Sequence, residues 1–211
     1  MNAAFNSAVR FAASVRDGAA RFLIRLRVRP LHLTVSGLLL SCLSGWLFFA
    51  GRFRAAAVIL LVSGACDLLD GAVARLSGAV TAFGAFLDST VDRASDAAVL
   101  CGILLYYNRS QADTYSVLAA YLALVGSFLV SYTRARAECI IDRCSTGFFQ
   151  RPERIIALAV AGIAGIVPAV LWLLAAATGF TALQRILYVR RSVRNDGGKN
   201  SKPPGGPPGR A

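Results

Sequence analysis

Of the eleven Asp and Glu in the 211-residue chain, Asp67, Asp70, Asp88, Asp92 and Asp96 fall within thirty residues that otherwise read as apolar helix. A charge at the centre of a bilayer costs on the order of 2.5 to 3.5 kcal/mol even on insertion scales, so a set of uncompensated carboxylates opposes insertion by roughly 10 kcal/mol. Placement at a helix end, water access, arginine partners and bound cations each relieve that cost, and bound cations best account for so many carboxylates gathered together. Asp67 and Asp70 are three residues apart and Asp88 and Asp92 four apart, so each pair shares one face of its helix. A tight turn over Ser77–Thr81 would set the two helices side by side as an antiparallel pair. Four converging carboxylates are hard oxygen ligands suited to Mg²⁺ or Mn²⁺. They are too many for one ion that prefers octahedral geometry and keeps water, which points to two ions, or to one ion and a free base. Gly71 and Gly84 lie beside the pairs, where a missing side chain lets a ligand or a facing helix approach. Ala74 is small in the same way, and Arg75, two turns beyond Asp67, could take a phosphate oxygen.

The elements that must carry these residues are membrane helices. The chain is 56% hydrophobic, far from the mix of a soluble domain of this length. The apolar pattern predicts an all-α, polytopic membrane protein with six transmembrane helices, over 31–51, 54–76, 82–107, 114–138, 153–167 and 168–190. It divides into a basic amphipathic juxtamembrane segment at 1–30, a six-helix transmembrane domain at 31–190 and a disordered tail at 191–211. An even number of spans puts both termini on one side. Of the 23 Lys and Arg, only Arg52, Arg54 and Arg109 then lie on the opposite side, with Arg93 inside a helix. The positive-inside rule makes both termini cytoplasmic, and the expected location is the plasma membrane. The net charge of +12 follows topology rather than one soluble face, which argues against nucleic-acid binding. Nothing resembles a cleaved signal peptide, since six arginines precede the first long apolar stretch. Cys42, Cys66, Cys101, Cys139 and Cys144 are scattered, with no C-x-x-C spacing, and read as small apolar packers with reduced thiols.

Taken together the acids and their neighbours read D-x2-D-G-x2-A-R-x8-G-x3-D-x3-D, from Asp67 through Gly71, Ala74, Arg75, Gly84 and Asp88 to Asp92. This resembles the signature of the CDP-alcohol phosphotransferases (CDP-alcohol phosphatidyltransferases) at every fixed position. The resemblance implies a homodimer in which Asp67, Asp70, Asp88 and Asp92 hold Mg²⁺ or Mn²⁺ against the diphosphate of CDP-diacylglycerol, with Asp92 doubling as general base. It further implies contacts to the nucleotide and diphosphate from Leu31, His32, Leu33, Thr34, Gly71, Arg75 and Thr81. Leu31 stands where many relatives carry Asn or Asp, and His32, the only histidine, reads by itself as a juxtamembrane surface residue.

A second constellation gathers arginines at one helix connection: Ser131-Tyr132-Thr133-Arg134-Ala135-Arg136-Ala137-Glu138, then Gln150-Arg151-Pro152-Glu153-Arg154. Such clustering suits an anionic acceptor, although any cytoplasmic loop attracts arginine. These stretches, with Gln184-Arg185, resemble those of bacterial phosphatidylinositol phosphate synthases. By that likeness Arg134, Arg136, Arg151, Arg154 and Arg185 would grip the phosphate of inositol 1-phosphate, giving phosphatidylinositol phosphate and CMP in phospholipid biosynthesis. The loop over 139–149 lacks the glycine richness associated with that subgroup, which keeps glycerol 3-phosphate, the acceptor of a phosphatidylglycerophosphate synthase, as the alternative. A cation carrier or channel would also explain acids in membrane helices but leaves the arginines unexplained. A membrane-anchored scaffold for acidic partners ignores the aspartates.

Overall fold

A computed structural model describes residues 2–110, 113–141 and 150–199, and among them are seven helices and no strand. In order they are α1 (Asn2–Arg25), α2 (Pro30–Phe49), α3 (Phe53–Leu76), α4 (Ala82–Arg109), α5 (Thr114–Ala137), α6 (Arg151–Ala164) and α7 (Val167–Lys199). The helix ends follow local chemistry. Pro30 occupies the first position of α2, where its missing N–H costs nothing. Thr81, extended at φ −131°, accepts from the Gly84 N–H at 3.0 Å and so starts α4. Gly165 adopts φ 76° and ends α6 three residues earlier than the expected 167, because a left-handed residue there turns the chain into α7. In the other direction, α7 continues through the expected boundary at 190 to Lys199, so residues 191–199 are helix rather than disordered tail. The remainder of the tail lies outside the described residues.

Of the six helices expected to cross a membrane, α2, α3, α5 and α7 are long and apolar enough to do so. α4 is long but carries Asp88, Asp92, Arg93 and Asp96. α6 has 14 residues, about 21 Å at the helical rise. Large apolar side chains such as Leu39, Trp46, Leu61, Leu129, Leu173 and Ile186 point outward, the reverse of a water-soluble fold.

The packing partners close on themselves: α2 packs on α3, α3 on α6, α6 on α7, α7 on α5, α5 on α4, and α4 back on α2. Phe48, Leu60, Val99, Ile103, Ala123, Leu158 and Leu171 fill the centre of this ring, with at least one residue from each of the six helices. α1 stays outside, with Ala20 buried on Ala72 and Val73 of α3. α3 and α4, adjacent in sequence, do not pack on each other, which corrects the expected antiparallel pair. Each packs instead on α2, and a gap remains between them.

Small residues set the ring's spacing. A Cβ at Gly45 would collide with the Ala98 carbonyl, and one at Gly102 with the Gly45 carbonyl, so α2 and α4 touch backbone to backbone. α2 and α3 are joined by buried hydroxyls: Ser41 and Ser63 share a 2.7 Å hydrogen bond, Ser63 donates to the Gly37 carbonyl and Ser44 to the Ala56 carbonyl. Three of the cysteines expected to be packers are on the outside of the fold. Cys42, Cys101 and Cys139 are free and exposed and Cys66 is half-buried, while Cys144 lies outside the described residues.

Candidate metal and substrate site

The gap between α3 and α4 is where the acids meet. Carboxylate oxygens of Asp67, Asp70 and Asp88 all lie within 4.8 Å of one another. Opposite ligands of an Mg²⁺ ion stand about 4 Å apart, given metal–oxygen distances of about 2.0 to 2.1 Å, so these three carboxylates can share a cation with small side-chain adjustments. Asp70 is 5% exposed. Its Oδ2 accepts from the Thr34 hydroxyl of α2 at 2.7 Å, which fixes the carboxylate's orientation.

Asp92 faces the same gap one turn further along α4 but meets a cation from the protein. The Nη1 of Arg151, at the start of α6, lies 2.5 Å from Asp92 Oδ1 and 2.6 Å from Asp67 Oδ2. Despite this proximity, neither Asp92 Oδ1 nor Arg151 Nη1 finds a hydrogen-bond partner of good angle among the described residues. Their contact is that of opposite charges, without a directed hydrogen bond. An orphaned, buried carboxylate oxygen of this kind fits a cation ligand.

Beneath this layer Asp96 carries a second pairing. Its Oδ2 accepts from Arg154 Nη2 at 2.5 Å and from the Ser127 hydroxyl of α5 at 3.0 Å, while its Oδ1 stands 3.6 Å from Arg151 Nε. Asp96 thus ties α4, α5 and α6 together. Sequence reading placed Asp96 among the acids but gave it no role. The signal was the repeat Asp88, Asp92, Asp96 at four-residue spacing, which puts all three on one helix face.

The remaining expected residues divide. Thr34 reaches the site by holding Asp70. Leu33 packs toward Ala20, Ala72 and Val73, whereas Leu31 and His32 are exposed. Arg75 is exposed and folds back along its own helix, so that a Cβ at Gly71 would sit 3.3 Å from Arg75 Nη1. Thr81 caps α4. The five arginines do not form one free cluster. Arg151 and Arg154 are spent on the aspartates, Arg134 pairs with Glu138 at 2.9 Å on the surface, and Arg136 is exposed. Arg185 is buried and donates to the Val130 carbonyl. Beside it Arg93, which sequence reading left without a role, reaches the Ser131 carbonyl at 3.5 Å, one turn before Arg134.

Comparison with known proteins finds relatives along most of the chain. Residues 27–189 match the family model described as CDP-alcohol phosphatidyltransferase. An archaetidylinositol phosphate synthase of Methanothermobacter thermautotrophicus is 38% identical over 169 residues, covering 77% of this chain and 84% of that protein. A phosphatidylinositol phosphate synthase of Mycobacterium tuberculosis is 39% identical over 184 residues, covering 82% of this chain and 85% of the relative. Among solved structures, the M. tuberculosis phosphatidylinositol phosphate synthase with CDP-DAG bound superposes with a TM-score of 0.76 at 35% identity, over 83% of this chain and 94% of that one. The same enzyme in complex with manganese and citrate gives 0.74 at 36% identity, over 82% and 88%.

Proposed function

The chain belongs to the CDP-alcohol phosphatidyltransferase family, and on that premise we propose that it is a membrane enzyme transferring the phosphatidyl group of CDP-diacylglycerol to inositol 1-phosphate, with release of CMP. The relatives with this activity in their names and the neighbour that binds CDP-DAG support the two substrates. The observation that carries the reading is the meeting of Asp67, Asp70 and Asp88 between two helices whose backbones stand apart.

Asp67, Asp70 and Asp88, with Asp92 once freed from Arg151, would hold one or two divalent cations. Manganese in a solved relative fits that choice. Bound there, the metal supplies charge neutralisation and in-line orientation of the diphosphate, the main demands of phosphoryl-type transfer. Thr34 keeps Asp70 aimed into the gap. Asp92 Oδ1, buried and without a directed hydrogen bond, accepts the proton of the acceptor hydroxyl. That oxygen attacks the phosphorus bearing diacylglycerol, and the bond to CMP breaks. Asp92 acts by proximity and orientation, on a proton whose acidity rises as the new bond forms. Arg151 and Arg154 supply the positive charge for the acceptor's phosphate, with Arg134, Arg136 and Arg185 around the same end of α5. Gly71, Arg75, Thr81 and the stretch Leu31, His32, Leu33 and Thr34 line the approach for the nucleotide and diphosphate. A cation channel is disfavoured, because two arginines planted among the aspartates raise the barrier to a permeating cation.

The chain is an integral membrane protein, and the finer topology proposed is six crossings by α2–α7, α1 lying basic and amphipathic on the leaflet, and both termini and the site at the cytoplasmic face of the plasma membrane. A homodimer is proposed from the family resemblance. The decisive experiment measures CMP release by purified protein from CDP-diacylglycerol with Mg²⁺, offering inositol 1-phosphate, glycerol 3-phosphate, serine and free inositol in parallel. Release dependent on inositol 1-phosphate is expected. Release favouring another acceptor would replace the substrate, and none with any acceptor would overturn the activity.

A further inference from the structure

The cation already in the site belongs to the protein, and its geometry is that of a placeholder. One nitrogen, Arg151 Nη1, serves two carboxylates on two helices, Asp67 of α3 at 2.6 Å and Asp92 of α4 at 2.5 Å. A guanidinium holds a carboxylate best through two parallel, directed N–H bonds. Arg151 is not placed in that mode: its two closest carboxylate contacts are both made by Nη1, one to each helix. Arg154, one turn away, has its Nε and Nη1 without hydrogen-bond partners among the described residues, as Arg151 has its Nε and Nη1, but it is anchored at one point. Its Nη2 makes a directed 2.5 Å bond to Asp96, whose same oxygen is held by Ser127. Asp96 also stands 3.6 Å from Arg151 Nε. It can therefore retain the stem of Arg151 while the far end of the guanidinium is released.

We infer that Arg151 is an exchangeable counter-ion: it neutralises Asp67 and Asp92 until a divalent cation takes those oxygens, and the displaced guanidinium then binds the phosphate of the acceptor. The inference rests on the reading of the aspartates as metal ligands and extends it to the order in which the site loads. Cation and guanidinium compete for the same two carboxylates, so they cannot both be bound there at full strength. The side chain is 13% exposed, and once displaced, a charge with so little contact with water needs another anion. Phosphate from the acceptor is that anion. Linkage then requires that cation and acceptor each tighten the other's binding. Asp96, which touches neither, acts as a positioning residue for the arginine that moves.

Two measurements on purified full-length protein test this without turnover, with CDP-diacylglycerol withheld. Mn²⁺ binding is followed by electron paramagnetic resonance, and inositol 1-phosphate binding by calorimetry with and without Mn²⁺. Wild type is expected to bind inositol 1-phosphate about tenfold more tightly when Mn²⁺ is present, within the usual range of coupling between sites. Arg151→Gln removes the competitor, so Mn²⁺ is expected to bind about tenfold more tightly than to wild type, while the gain in acceptor affinity disappears. Arg151→Lys keeps a charge that can be displaced and is expected to leave Mn²⁺ affinity near wild type. If Mn²⁺ binds wild type but binds both variants more weakly, Arg151 is a structural brace and the exchange is overturned while the metal site stands. If wild type binds no Mn²⁺, the metal-ligand reading itself fails.

Discussion

At the scale of single residues, Asp92 and Asp96 make a controlled comparison, one turn apart on the same face of α4 and each facing an arginine of α6. Asp92→Asn keeps the size and loses the base, so CMP release should fall by at least about a hundredfold, in the range of a lost general base. Thermal stability should change less than on loss of Asp96, because Arg151 keeps Asp67 at 2.6 Å and Asp96 at 3.6 Å as counter-charges. Asp96→Asn should do the opposite in the folded state. It leaves Arg154, 5% exposed, without its counter-charge, and breaking a buried pair from one side costs about 3 to 5 kcal/mol. A clear loss of melting temperature is expected, partly recovered in Asp96→Asn with Arg154→Gln. The four metal-ligand candidates were legible in the sequence because helical spacing reports neighbours on the same turn. The partners were not. Arg154 lies 58 residues from Asp96 and Asp70 lies 36 from Thr34, and no local pattern encodes which distant side chain arrives. Thr34 shows the difference, since its hydrogen bond to Asp70 is a partnership that no local pattern announced.

At the scale of elements, the helices were legible almost to their ends, and their neighbours were not. Apolar runs and the Ser77–Thr81 turn located α3 and α4 to within a few residues. A short connection suggests direct packing, but it does not reveal that α2 engages both helices and leaves a gap between them. The glycines responsible stand in plain view as Gly45 and Gly102, yet glycine in a membrane helix signals close approach without naming what approaches. Gly102→Ala would drive a Cβ into the Gly45 carbonyl. The α2–α4 contact must open, at a cost of about 1 to 3 kcal/mol typical of overpacking. Expected are a lower melting temperature in detergent and reduced CMP release, since α4 carries Asp88 and Asp92. Gly179→Ala, where a Cβ meets nothing within 4 Å, serves as the control and should leave both unchanged.

At the scale of the whole molecule, the ring of six helices with α1 outside makes a prediction about sidedness. On the proposed topology, with both termini at the cytoplasmic face, protease added to inside-out vesicles should remove a tag at either end, and protease added to right-side-out vesicles should remove neither. Cleavage of only one tag in a given orientation would require an odd number of crossings. The pairing of α4 with α6 has a further consequence that concerns time instead of space. The ribosome delivers Asp67, Asp70, Asp88, Asp92 and Asp96 long before it delivers Arg151 and Arg154, so the nascent chain has its anions in hand while their internal cations are still unmade. Until α6 emerges, those helices are poor candidates for release into lipid. Biogenesis should therefore be posttranslationally abrupt, with chains arrested before residue 151 retained by the insertion machinery or degraded, and chains arrested after residue 154 able to settle.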